Sequence, residues 1–117
     1  MTARHEHTAG RFLIAMLFVA GALQKATDPG AAQSLLAGFG LTPILVWPAL
    51  GFNLCAAILL IGKIAVRPTS LALAAYCALT SIFHFIPADP WQMSIFVKNW
   101  AIAGGLLILA SHRENLR

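Results

Sequence analysis

The stretch FVKNWAIAGG, residues 96–105, decides how this chain is read. It sets Lys98 and Asn99 inside an otherwise apolar run and follows them with Ala101, Gly104 and Gly105. A charge placed within an apolar helix is expensive and calls for a partner, a wet cavity or a function. The small residues let a second backbone come close. Lys98, Ala101 and Gly105 fall at i, i+3 and i+7, so the lysine reads as part of a packing face. If this run spans a membrane, Lys98 and Asn99 belong to a polar layer inside a bundle, and the remaining chain must supply the other spans.

The composition agrees. Apolar residues make up 59% of the 117 and charged residues 10%, where soluble domains carry about a quarter charged. With a mean hydropathy of +0.78, so few charges cannot cover a water-facing surface. The net charge of +4 lies mostly in short segments between apolar runs. No basic stripe with interleaved aromatics is present, so nucleic acid is not an expected partner. Cys55 and Cys77 sit in mid-run and have neither metal-ligand spacing nor a disulfide framework around them.

Outward from the opening stretch, four spans emerge in an all-α chain. The fourth covers about 92–111, with Trp91 as its interfacial anchor and Pro87–Pro90 as the turn before it. The third covers 67–86 and has Pro68 in its first turn. The second covers 43–62, opened by Thr42-Pro43 and closed by Gly62-Lys63. The first covers 11–27; it lacks a small-residue cleavage site and reads as a retained span rather than a signal peptide. Asp28-Pro29-Gly30 ends it, and AAQSLLAGFGL at 31–41 has the spacing of a short interfacial helix. The expected fold is a four-transmembrane-helix bundle with that short helix after span 1. Residues 11–112 form its single membrane domain, and 1–10 and 113–117 are polar tails.

Basic residues set the orientation. Arg4 and Arg11, Lys63 and Arg67, and Arg113 and Arg117 fall on one side, and Asp28 and Asp89 on the other. The positive-inside rule then makes both termini cytoplasmic. Depth follows from the helical rise of about 1.5 Å per residue. Counted from the basic residue at each inner end, Lys25, Thr80, Ser81, His84, Lys98 and Asn99 lie roughly 20–25 Å deep, and Asn53 lies roughly 15 Å deep. These residues form one slab in the outer half of a hydrocarbon layer about 30 Å thick.

The candidate ligand-binding residues are therefore Lys98, His84, Asn99, Lys25, Asn53 and Ser81. Each has a plainer reading. Lys25 is close enough to the outer boundary to snorkel, or to pair with Asp28 at i+3. His84 and Asn53 also serve as interhelical hydrogen-bond partners, and Ser81 and Thr80 can bond their own helix carbonyls. No Asp or Glu lies within a span, and no nucleophile motif, phosphate loop or metal cluster is present. No catalytic residue is expected, and neither is an intrinsic cofactor.

These features, taken in order, resemble the DoxX family of small membrane proteins. The matching elements are Gly21 and Lys25 followed by Asp28-Pro29; LLIGK closing span 2, with VRPTSLAL opening span 3; Phe83-His84-Phe85; and KNWAIAGGLLIL in the last span. The likeness runs over nearly the whole chain, with the last element its most specific part. It implies a four-helix protein of a bacterial inner membrane. The family takes its name from proteins similar to subunits of a thiosulfate:quinone oxidoreductase, so the resemblance implies a quinone as a ligand and a redox partner subunit. Many relatives carry a glutamate early in span 2, where the nearest polar residue here is Asn53. An acid-based proton role does not carry over.

The expected function is an accessory subunit of a membrane redox or stress-linked complex, binding a quinone-like or anionic headgroup in the outer-half layer. A small-solute or anion permease, and a structural or assembly protein without a ligand, stay open as alternatives. Expected partners are the bilayer and a redox subunit, with self-association also open.

Overall fold

The structure, a computed structural model, describes residues 2–112. Arg113 and Arg117, used above for orientation and depth, lie outside the described residues. The described chain is all-α and contains no strand. Helix α1 (Ala3–Thr27) is followed by α2 (Pro29–Gly38). A 3-10 turn (Pro43–Leu45) leads into α3 (Val46–Ile61). Helix α4 (Val66–Thr80) tightens into a 3-10 turn (Ser81–His84), and α5 (Pro90–Ala110) closes the order. Four segments are long and apolar enough to cross a membrane: Ala3–Thr27, Pro43–Ile61, Val66–His84 and Pro90–Ala110.

The first helix begins at Ala3, not at Arg11 where the hydropathy rises. The Thr2 side chain caps it, accepting from the His5 N–H at 3.3 Å, and Glu6 lies in the first turn. Loss of hydropathy marks where a helix leaves the hydrocarbon, not where it stops. Residues 3–10 therefore continue the helix rather than forming an irregular tail. The short helix after the first span is present as α2. It ends in a Schellman motif, with Gly40 at φ 74° and the Leu41 N–H bonded to the Leu36 carbonyl at 3.0 Å.

The chain divides into two compact units at Gly62/Lys63. In the first, α1 and α3 run antiparallel. Arg11, Ala15, Phe18 and Ala22 form the buried stripe of α1, and Asn53, Ala56, Ala57 and Leu60 that of α3. Arg11 is only 6% exposed. Its Nη1 donates to the Leu60 carbonyl and, at 3.0 Å, to the Ile61 carbonyl. Those carbonyls belong to the last turn of α3, beyond which the regular i+4 donors of the helix run out. The arginine expected to mark a membrane edge is thus also a cap supplied by one helix to its neighbour.

In the second unit, α4 and α5 run antiparallel. Val66, Ser70, Leu73 and Cys77 repeat the i, i+4, i+7, i+11 spacing of the α1 stripe. Arg67 Nη1 donates to the Ala110 carbonyl at 3.2 Å, from the first turn of α4 to the end of α5. The buried face of α5 is Ala103, Leu106, Leu109 and Ala110. Of the expected packing face, Lys98 and Ala101 are exposed and Gly105 is half-buried. Helix α5 is apolar around its whole circumference beyond Lys98 and Asn99, so hydropathy does not mark a face. Leucine against alanine carries the packing instead. Large side chains such as Leu13, Leu79 and Ile108 remain more than 70% exposed, as a surface facing hydrocarbon requires.

Candidate functional site

Each unit carries its own polar cluster. In the first, Gly21 on α1 faces Asn53 on α3. A Cβ built on Gly21 would lie 3.7 Å from Asn53 Nδ2 and 3.9 Å from Lys25 Nζ. The ammonium of Lys25 therefore folds back one turn over Gly21 toward α3, the direction in which helical side chains lean. It does not snorkel past the end of α1, and it is half-buried. Asn53 is 2% exposed, and its Oδ1 is buried without a hydrogen-bond partner. A buried amide oxygen left unpaired costs about 1–3 kcal/mol.

The second cluster is formed where the 3-10 turn meets the start of α5. Thr80 Oγ1 donates to the Tyr76 carbonyl at 2.7 Å, and Ser81 Oγ to the Ala78 carbonyl at 2.6 Å. These back-bonds accompany the tightening of α4 into the 3-10 turn. They commit the Ser81 proton to its own helix, so this buried hydroxyl retains only acceptor capacity. The turn brings the half-buried His84 to α5, where its Nδ1 lies 2.6 Å from Gln92 Oε1. The Gln92 amide oxygen can only accept, so Nδ1 is the donor of this bond. An aromatic row adjoins the pair. The Phe85 and Phe96 centroids are 5.2 Å apart, and Phe96 and Trp100 meet edge-on at 6.4 Å.

Helix α5 also positions the opening lysine. Lys98 is exposed. Asn99 is half-buried on the turn before Ala103. The expected site residues thus separate into Lys25 with Asn53 in the first unit, and Ser81, His84, Lys98 and Asn99 in the second. Gln92 went unread in the sequence because it falls at the start of a span, where a polar residue needs no special explanation. Its spacing of i+3 from Asp89, which caps α5 by accepting from the Trp91 and Gln92 N–H groups, was the available signal. No group of three or more metal-ligating side chains occurs among the described residues.

Two antiparallel pairs of apolar helices, each with buried polar groups, define a multi-pass helical membrane protein. The DoxX family model matches residues 7–86. The chain belongs to the DoxX family. The match takes in α1 to α4 with His84. It stops before α5, so the KNWAIAGG element that looked most specific in the sequence lies beyond it. No curated protein and no solved structure gives a match to the chain.

Proposed function

We propose that this DoxX protein is an accessory membrane subunit that binds a quinone-like headgroup beside His84 and takes its redox equivalents from a partner subunit. The observation that carries the reading is the His84–Gln92 pair. With Nδ1 tied to Gln92 at 2.6 Å, the free Nε2 is an acceptor fixed in direction, suited to a hydroxyl of the reduced headgroup. Phe85, Phe96 and Trp100 offer a flat apolar ring a surface to lie against. Lys98 stands about 9 Å further along α5 than Gln92 and polarises a carbonyl or anionic oxygen of the ligand. Asn99 orients the same oxygen, and Ser81 lines the inner end. The protein binds and presents the headgroup, and it carries out no chemistry alone. Its membrane is the bacterial plasma membrane, with both termini in the cytoplasm.

The test is a titration of the purified full chain with a short-tailed quinol, followed by tryptophan fluorescence. Trp100 stands next to Phe96 and reports occupancy. His84→Leu and Gln92→Leu should each weaken binding on the order of tenfold, the worth of one well-made hydrogen bond, with helix content unchanged. Equal binding by wild type and both variants would remove the reading. Solute flux through liposomes containing the protein alone would replace it with a permease.

A further inference from the structure

The His84–Gln92 pair fixes more than the direction of the ring. Nδ1 of His84 lies 2.6 Å from Gln92 Oε1. An amide oxygen only accepts, so this bond keeps a proton on Nδ1 whether the ring is neutral or charged. A change in protonation therefore falls on Nε2, to which no described residue hydrogen-bonds. With one proton the ring offers a lone pair there. With two it offers an N–H from the same point in the same direction. A hydroxyl in place of the Gln92 oxygen could turn and donate, and the neutral ring would then present either nitrogen.

The two redox forms of a quinone-like headgroup differ in the matching way. The reduced form carries O–H donors, and the oxidised form carries only carbonyl acceptors. Neutral His84 accepts from the first, and the imidazolium donates to the second. We infer that His84, held in one tautomer by Gln92, selects the redox form of the bound headgroup, and that protonation of the ring exchanges one preference for the other. The inference rests on the headgroup reading of this site and adds its specificity and the condition that reverses it. Titratable and charged groups on the elements around the turn are few. Helix α4 carries Arg67, Tyr76 and Cys77, and α5 carries Lys98. Asp89 caps α5 and is engaged by the Trp91 and Gln92 N–H groups. His84 forms no ion pair with any described residue. Of the other histidines, His5 and His7 lie on α1, and His112 lies beyond the end of α5.

Paired titrations of the purified full chain test the inference. A short-tailed benzoquinone and its quinol are each added under argon, and tryptophan fluorescence is followed at about pH 8 and about pH 5. At the higher pH the quinol should bind on the order of tenfold more tightly than the quinone, the worth of one matched hydrogen bond. At the lower pH the quinone should equal or outbind the quinol. His84→Gln keeps a hydrogen-bonding side chain without a titrating ring, and its quinol-to-quinone ratio should be the same at both pH values. Gln92→Glu places a carboxylate beside Nδ1, which favours the charged ring and should carry the quinone preference to higher pH. Gln92→Leu frees the neutral ring to present either nitrogen, so its ratio at the higher pH should fall toward one. Binding of both forms with a ratio that ignores pH, or a pH response that survives His84→Gln, overturns this inference and leaves the headgroup site standing. No binding of either form at either pH removes the site and the inference together.

Discussion

Arg11 combines two roles that its place in the sequence does not separate. A basic residue at the start of an apolar run orients a span wherever its side chain points. Here the guanidinium is buried against the Leu60 and Ile61 carbonyls, so it also holds α1 to α3. Hydrogen bonds from a charged donor contribute about 1.5–3 kcal/mol each when buried, and a lysine ammonium is a compact, more strongly hydrated charge that costs more to bury than a guanidinium. Arg11→Met and Arg11→Lys should both lower unfolding stability in detergent, by about 2 kcal/mol for the methionine. Arg67 makes one bond of 3.2 Å and is exposed, so Arg67→Met should cost less than about 1 kcal/mol. Equal losses at the two positions would show that burial is not what separates them. Gly21 gives the opposite sign. A methyl there meets only ordinary contacts of 3.7 and 3.9 Å, so Gly21→Ala should leave stability unchanged or raise it by about 0.5–1 kcal/mol.

At the scale of the element, helix existence was legible and helix faces were only partly so. Asn53 with Ala56 and Ala57 was readable as a buried group because a polar residue among alanines has few other uses, and all three are buried. The same logic misplaced the buried face of α5. Lys98 and Ala101 are exposed and Gly105 is only half-buried, while Leu106 with Ala103 and Ala110 forms the buried face. Small residues permit close approach without requiring it, and an apolar helix provides no polar face to choose against. The cap of α5 is clearer. Asp89 accepts from Trp91 N at 3.0 Å and Gln92 N at 3.3 Å, and Gln92 then holds His84. Asp89→Ala should destabilise the second unit by about 1 kcal/mol. It should also weaken quinol binding with no contact to the ligand, because the frayed first turn releases Gln92. Unchanged quinol affinity in Asp89→Ala would mean that the cap does not position the site.

For the whole molecule, the sequence made the number of spans legible because four long apolar runs have no other explanation at this charge content. It also made the family legible, through Gly21, Lys25 and His84 within the matched residues 7–86. The pairing of arginines with returning helix ends was hidden, since neither partner is a side chain: backbone carbonyls leave no trace in a sequence. Arg11 reaches from the third turn of α1 to the end of α3, and Arg67 from the first turn of α4 to the end of α5. The proposed topology has both termini in the cytoplasm, and on it a cysteine placed at Asp89 should react with an impermeant maleimide added outside intact cells, while one placed at Lys63 should not. The reverse labelling would invert the topology.

The central claim is that a flat, oxygen-bearing headgroup binds beside His84 on the second helix pair. A photoreactive quinone analogue, cross-linked to the full chain in its membrane and mapped by peptide mass spectrometry, tests it most directly. The account predicts adducts within residues 81–100 that excess natural quinone removes and that His84→Leu largely abolishes. Adducts spread along all four spans and insensitive to competition would contradict it.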